Sequence, residues 1–243
     1  MSISESIPQR LYLMQLSTST IPLPEGQQLD MVCVCYLIET SDGKHILIDT
    51  GLPPDIKMPA PAENEKNVVE HLAELDLHPA DIDILICTHF DIDHVGYHEL
   101  FTQAELVVQR HHYELAQQGH PRFATTQSHW NHPDLHYRLI DGDFELLPGI
   151  TLIETSGHAP GHQSVLVRLP QTGPVLLAID AVVFQRLFNT NRQAWPTDDN
   201  EGQLRASSQK LLDLVEREGV QFVVFGHDGG QWATLKKSPA YYE

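Results

Sequence analysis

Residues 88–94, with the sequence THFDIDH, contain four side chains that could bind a metal ion. His89, Asp91, Asp93 and His94 come directly after an apolar run that predicts a buried strand. Ionisable groups beside an apolar core need partners, and a divalent cation would neutralise the carboxylates and accept the imidazoles. The spacing therefore favours a metal site over an acidic, solvated loop.

Three further segments carry single residues of the same kind. His158 lies in the segment GHAPGH, Asp180 ends the run PVLLAID, and His227 lies in FGHDGG. Each follows a predicted strand, and the nearby glycines allow the backbone to turn sharply. A lone histidine after a strand usually makes a structural hydrogen bond. Because ligand-type residues recur at four strand ends, one shared metal centre is the better interpretation.

The surrounding pattern predicts short strands and few helices. We expect strands at 31–39, 44–50, 81–88, 105–109, 150–154, 163–169, 174–181 and 221–226, with hairpins at 31–50 and 137–154. We expect helices at 67–75, 111–118 and 202–218. This order predicts two sheets packed face to face with helices outside. The polar, aperiodic segment 119–136 is expected to be a functional or disordered loop.

Composition limits the function classes. The 243 residues carry 15 Lys and Arg against 33 Asp and Glu, a net charge of −18, which argues against nucleic acid or an anionic membrane as partner. The 15 histidines equal all the basic residues together. With no signal-peptide pattern, no long apolar run and three cysteines in apolar runs, we expect buried thiols, a cytoplasmic location and a single domain over 1–243.

In their order and spacing, these motifs resemble the metallo-β-lactamase superfamily. Within it, the sequence is most similar to the N-acyl homoserine lactonases, through the segments LIDTG (47–51), THFDIDH (88–94), GHAPGHQS (157–164), LLAIDA (176–181) and FGHD (225–228). The resemblance extends over nearly the whole chain. It implies an α+β fold, a four-layer αββα sandwich with a two-metal site at one edge.

The resemblance also implies a ligand set. The first ion would be held by His89, Asp91 and His158, and the second by Asp93, His94 and His227. Asp180 would bridge the two ions, with a hydroxide between them. The expected metal is zinc, with iron or manganese as alternatives.

The implied reaction is metal-dependent opening of a homoserine lactone or a related small-molecule lactone or ester. The hydroxide would attack the carbonyl while Asp93 takes and returns the proton. Asp49 and Asp228 would orient ligand imidazoles. Alternatives are hydrolysis of another ester, thioester or phosphoester, or a degenerate scaffold that binds metal without catalysis. The oligomeric state stays open, a homodimer included.

Two positions depart from the family pattern. Asp91 stands where the motif has a histidine, which adds negative charge and leaves a single-metal site as the alternative to a dinuclear one. The flavodiiron branch also has a carboxylate there, which motivates a redox alternative. Val183 stands where the lactonases have a tyrosine near the substrate carbonyl, and Tyr97 or His162 could substitute for it. We expect Asp91→His to gain lactone activity.

Other histidines and aromatic residues carry weaker signals. No ligand spacing connects the histidines in and around the polar loop, so a solvated or substrate-covering loop is favoured over a second metal site. These are His111, His112, His120, His129, His132 and His136. Phe123, Trp130 and Phe188 either line an acyl-chain pocket or belong to the core.

Overall fold

The computed structural model describes residues 6–22, 27–55, 63 and 65–243. These residues form twelve strands: β1 (Pro8–Pro22), β2 (Gln28–Thr40), β3 (His45–Ile48), β4 (Ile84–Ile86), β5 (Glu105–Gln109), β6 (His136–Ile140), β7 (Phe144–Leu147), β8 (Ile150–Glu154), β9 (Gln163–Leu169), β10 (Gly173–Ile179), β11 (Phe222–Phe225) and β12 (Tyr241–Tyr242). They also form five α-helices: α1 (Val68–Ala73), α2 (Arg110–Gln117), α3 (Gln127–Trp130), α4 (Glu201–Glu218) and α5 (Gly229–Trp232).

The strands make two mixed sheets. The larger sheet has the order β12-β1-β2-β3-β4-β5-β6, and the smaller has the order β11-β10-β9-β8-β7. Strands β3 to β6 run parallel to one another, and β10 and β11 are also parallel. No helix in the described part of the chain is long and apolar enough to cross a membrane.

Alternation along β2 shows how the layers are held together. Val34 and Tyr36 point into the apolar core between the two sheets, while Cys35 and Leu37 pack on the other face against the cluster that includes α1 and α2. Both faces are buried, as expected of a strand covered by a sheet and by helices. On the far side of the molecule, α4 packs on the smaller sheet through residues such as Leu211. The αββα sandwich of the α+β class is therefore confirmed.

Most predicted elements are present, with several differences. The segment 119–136, predicted as a loop, contains a 3₁₀ helix (Pro121–Thr126) and α3, and the short elements α5 and β12 were not predicted. The long strand β1 (Pro8–Pro22) was missed because its apolar and polar residues do not alternate cleanly. The predicted hairpin over 137–154 is only half right, since β7 and β8 pair with each other while β6 pairs with β5 in the other sheet. Local alternation indicates strands but not the sheet that each one joins. The single-domain prediction includes residues outside the described ranges and stays a prediction.

Candidate metal centre

The predicted site residues lie just beyond the carboxyl ends of strands from both sheets. Asp49 follows β3, His89 follows β4, His158 follows β8, Asp180 follows β10 and His227 follows β11. Parallel strands present their carboxyl ends at one edge, which is where α/β proteins commonly place a site. The fold therefore brings residues that are far apart in sequence to one rim.

Backbone geometry at the end of β10 directs Asp180 inward. Ile179 has a φ of 51°, a conformation that a β-branched residue rarely adopts and that costs about 1–3 kcal/mol. Gly226 packs against this turn, and a Cβ there would lie 2.7 Å from the Asp180 Oδ1 and 2.7 Å from the Ile179 carbonyl oxygen. The glycine thus leaves the space that the Asp180 carboxylate occupies.

Two groups of three ligand-type residues meet at Asp180. In each group, the potential ligand atoms lie within 4.8 Å of one another. We name them the first triad, His89, Asp91 and His158, and the second triad, Asp93, His94 and His227.

Short distances join the members of each triad. In the first triad, Asp91 Oδ2 lies 3.5 Å from His89 Nε2 and 3.1 Å from His158 Nε2. In the second triad, Asp93 lies 3.7 Å from His94 Nε2 and 3.5 Å from His227 Nε2.

Asp180 lies between the triads. Its Oδ2 is 3.4 Å from His158 Nε2, and its Oδ1 is 3.1 Å from His227 Nε2. Its carboxylate is buried, so both oxygens face the imidazoles rather than solvent. The structure therefore brings all seven residues that the sequence analysis named as ligands to one place.

Each of the four imidazoles is fixed through its Nδ1. His94 Nδ1 lies 2.8 Å from Asp49 Oδ2, His158 Nδ1 lies 2.8 Å from Asp198 Oδ1, and His227 Nδ1 lies 2.7 Å from the Val32 carbonyl oxygen. Carboxylate and carbonyl oxygens only accept, so each Nδ1 carries the proton and donates. The Nε2 atoms are therefore turned toward the centre, the arrangement typical of metal-binding histidines.

His89 is held in the same way by a hydroxyl. Thr88 Oγ1 donates to Asp49 Oδ2 at 2.6 Å, so its oxygen is free to accept from His89 Nδ1 at 3.0 Å. Among the described residues, the buried Nε2 atoms of His89 and His94 have no hydrogen-bond partner. Buried polar atoms without partners are rare, and here they face three carboxylates. Divalent metal ions fit these donors in number, type and direction.

Electrostatics agrees with a cation site. Burial lowers the pKa of His158, but the carboxylates around it, Asp180 first, raise it to about 9. Burial also opposes the charge on His227, and Asp180 raises the pKa of that imidazole to about 9. Burial raises the pKa of Asp180, yet the imidazoles around it hold this pKa well below its ordinary value. The carboxylates that raise the pKa values of His158 and His227 would also favour a divalent cation, and its binding would release the protons from these imidazoles.

Two residues at the site were missed from the sequence. Asp198 fixes His158 from a loop without periodicity, and nothing in the sequence marked it. Arg122 binds Asp91 through two hydrogen bonds, Nε to Oδ1 at 2.7 Å and Nη2 to Oδ2 at 2.5 Å. Arg122 belongs to the polar segment 119–136. The length of this segment, which predicted a functional loop, was the one feature of the sequence that pointed to it.

Asp228 does not have the predicted role. Its carboxylate accepts hydrogen bonds from the backbone N–H of Gln231 at 3.0 Å and from the backbone N–H of Gln185 at 2.9 Å. It therefore caps α5 instead of orienting an imidazole. Asp49 does contact a ligand-type imidazole, that of His94. His162 is buried and accepts from the Asp180 amide at 3.2 Å, a structural hydrogen bond.

A pocket of about 520 Å³ opens onto the triads. One wall is apolar, with Val183, Phe184 and Trp195, and Arg122 lies on the polar side. The aromatic residues suggested from the sequence lie elsewhere. Phe123 and Trp130 are fully buried in the core, where Trp130 stacks on Phe90 and Phe123 meets the Phe90 ring edge-on. Phe188 packs against Phe225.

The histidines of the polar loop form no metal cluster among the described residues. His112 is buried, accepts from the Phe90 amide at 2.9 Å and donates to the Pro160 carbonyl. His129 is also buried and contacts Glu99 at 2.9 Å. These two are structural residues rather than a solvated cover.

Comparisons with known proteins agree with this geometry. The model of the metallo-β-lactamase superfamily matches residues 30–227. The chain is 33% identical to an N-acyl homoserine lactonase of a Bacillus species, over 97% of this chain and 96% of the relative. It is also 33% identical to the N-acyl homoserine lactonase AttM of Azorhizobium caulinodans, over 96% and 98%. The chain belongs to the N-acyl homoserine lactonase family of the metallo-β-lactamase superfamily. The prediction of a hydrolase of this fold is therefore confirmed.

Solved structures of the lactonase family superpose closely. An N-acyl homoserine lactone hydrolase with N-hexanoyl-L-homoserine bound at its catalytic metal centre has a TM-score of 0.84 and 28% identity, covering 97% of this chain and 100% of that protein. A quorum-quenching N-acyl homoserine lactone lactonase has a TM-score of 0.86 and 29% identity, over 98% and 100%. This lactonase-family chain therefore has the fold of its relatives at nearly full length.

Proposed function

We propose that this protein opens the ring of N-acyl homoserine lactones by metal-dependent hydrolysis. The observation that carries the proposal is the convergence of the two triads on Asp180, with the free Nε2 atoms of His89 and His94 facing the centre. The family supports the substrate class, since its relatives are lactonases.

Two divalent ions, with zinc expected, would occupy the centre. The first triad and Asp180 would hold one ion, and the second triad and Asp180 the other. When bound, such ions polarise a carbonyl and lower the pKa of a water molecule, which becomes a nucleophile at neutral pH.

The chain itself supplies substrate contacts and proton handling. The apolar wall of Val183, Phe184 and Trp195 suits an acyl chain, and a lactone bound in this way would direct its carbonyl toward the triads. Addition of water to the carbonyl carbon and cleavage of the ring C–O bond give a hydroxy acid. Asp93 lines the pocket with its side chain 26% exposed, so it can take the proton of the water and return it to the leaving ring oxygen.

The partner that we propose is accordingly a small-molecule lactone, and the compartment that we propose is the cytoplasm. An acidic chain with a net charge of −18 suits a neutral substrate better than a phosphate-rich polymer.

Hydrolysis of a substrate panel tests this function. The zinc-loaded protein is assayed for proton release with N-hexanoyl homoserine lactone, an aryl ester, an acyl thioester and a phosphodiester. We expect the lactone to be opened at least about tenfold faster than the others, and Asp180→Asn to abolish the reaction. Hydrolysis of the thioester or phosphodiester alone would move the protein to another substrate class, and a metal-loaded protein without any hydrolysis would make it a degenerate scaffold.

A further inference from the structure

Arg122 forms an ion pair with Asp91, one of the two positions at which this sequence departs from the family motif. The guanidinium binds both carboxylate oxygens, in the forked geometry that makes such pairs strong. The side chain of Asp91 is only 17% exposed and that of Arg122 only 18%, so solvent screens the pair weakly. The pair is therefore part of the centre rather than a surface ion pair.

The rest of the loop holds Arg122 in place. Arg122 Nη1 donates to the Thr197 carbonyl at 2.8 Å. Its neighbour Phe123 is fully buried in the core, and Thr126 Oγ1 donates to the Phe90 carbonyl at 3.0 Å. The 3₁₀ helix Pro121–Thr126, anchored by the buried Phe123 and Thr126, therefore holds the guanidinium beside Asp91.

Charge explains why the two residues belong together. The family motif has a neutral imidazole at position 91, and the aspartate adds one negative charge there. The guanidinium of Arg122 adds one positive charge beside it. The net charge of the two side chains is therefore zero, as it is for a neutral imidazole. The fork also sets the direction of the carboxylate, because it leaves Oδ2 within 3.5 Å of His89 Nε2 and 3.1 Å of His158 Nε2.

We propose that Asp91 and Arg122 act as one charge-neutral unit that replaces an imidazole in the first triad, with Arg122 as the residue that positions Asp91. The proposal rests on the metal-dependent function above and refines its first ion site. It also changes the expectation for Asp91→His, because that variant leaves the Arg122 charge unpaired beside the ion.

A double-mutant cycle with metal affinity as readout tests the pairing. Wild type, Arg122→Gln, Asp91→His and the double variant are titrated with zinc against a chelator, and bound metal per chain is measured. We expect two ions in wild type and a loss of about 10–100-fold in affinity at one site in each single variant. The double variant should return to within about threefold of wild type, since a neutral imidazole needs no guanidinium.

Controls separate this effect from misfolding and from the function itself. Arg110→Gln breaks a surface pair with Asp141 and should leave metal binding unchanged. The melting temperature of the metal-free Arg122→Gln protein should stay within a few degrees of wild type. If the losses in the two single variants add up in the double variant, the proposed pairing is wrong. It is also wrong if wild type binds one ion and Arg122→Gln binds two, because the guanidinium would then occupy the first metal site. Because no substrate is used, failure of the lactone assay leaves this result intact.

Discussion

Hydrogen bonds on the outer side of the imidazoles decide how well this centre is formed. His94 relies on Asp49, and His158 relies on Asp198, whose side chain is only 4% exposed. An acceptor at Nδ1 fixes the ring and its tautomer, so that Nε2 can bind an ion without further reorganisation. These partners therefore contribute to metal affinity by holding the ligand atoms in position.

Asp198→Ala tests this at the residue that the sequence did not reveal. Without its acceptor, the His158 ring can rotate, and we expect zinc affinity to fall about 10–100-fold at one site. The exposed neighbour Asp199 supplies the matched control, because Asp199→Asn leaves His158 Nδ1 bonded. Chelator competition measures both variants, and equal affinities would show that Asp198 does not orient the imidazole.

The sequence revealed the ligand-type residues but not their partners. The spacing HxDxDH places several ligand-type side chains directly after one strand. Such a motif lies within a single segment, so it is visible in the sequence. Arg122 and Asp198 lie 31 and 40 residues from the groups they bind, Arg122 in a short 3₁₀ helix and Asp198 in a loop without regular structure. Such contacts depend on how the loops pack, which no local pattern records. The prediction for Asp228 failed for a different reason, because its carboxylate caps α5 through a local contact with the backbone N–H of Gln231, three residues along the chain.

At the scale of elements, strand ends and tight turns position the chemistry. The apolar strands were predictable because their alternation or apolar runs are local features. The sheet to which each strand belongs was not predictable, because it depends on pairing between distant segments. Strand β6 and the β7–β8 hairpin illustrate this, since they lie in different sheets. The close packing between the end of β10 and the end of β11 is equally invisible in the sequence, although it aims Asp180.

Gly226→Ala tests that packing. The added Cβ meets the Asp180 carboxylate and the Ile179 carbonyl, so we expect a loss of about 1–3 kcal/mol in the free energy of unfolding and at least tenfold weaker zinc binding. Gly202→Ala is the control, because the nearest atom to its Cβ is Asn200 Oδ1 at 3.4 Å and alanine favours the helix α4. Denaturant titration and chelator competition measure both, and unchanged zinc binding in Gly226→Ala would refute the proposed packing constraint.

The buried His112, at the start of α2, makes stability depend on pH. Burial lowers the pKa of His112 to about 4, whereas an unfolded histidine has a pKa of about 6.5. Between these values the unfolded chain binds the extra proton, so this contribution to stability is present above pH 6.5 and is lost as the pH falls toward 4.

A glutamine variant isolates the effect. His112→Gln keeps a donor and an acceptor but does not titrate. We expect the free energy of unfolding of metal-free wild type to fall with decreasing pH between about 6 and 4.5 more steeply than that of the variant, by up to about 1.4 kcal/mol per pH unit. Denaturant unfolding at several pH values provides the comparison, and parallel pH curves would contradict a neutral, buried His112.

At the scale of the whole molecule, four layers enclose three buried interfaces and leave the rim at the strand ends open to solvent. The core between the sheets and the helix layers outside them use nearly all the apolar strands, so the polar strand ends collect at one edge. The pocket of about 520 Å³ at that edge joins an apolar wall to the triads. This division leaves the rim available for a small-molecule site.

Anomalous diffraction at the zinc absorption edge, from crystals grown with zinc, tests this account most directly. We predict two peaks on either side of the Asp180 carboxylate, one in contact with the Nε2 atoms of His89 and His158 and the other with those of His94 and His227. Crystals without a peak at this rim, in which the imidazoles bond only to one another and to carboxylates, would contradict the central claim.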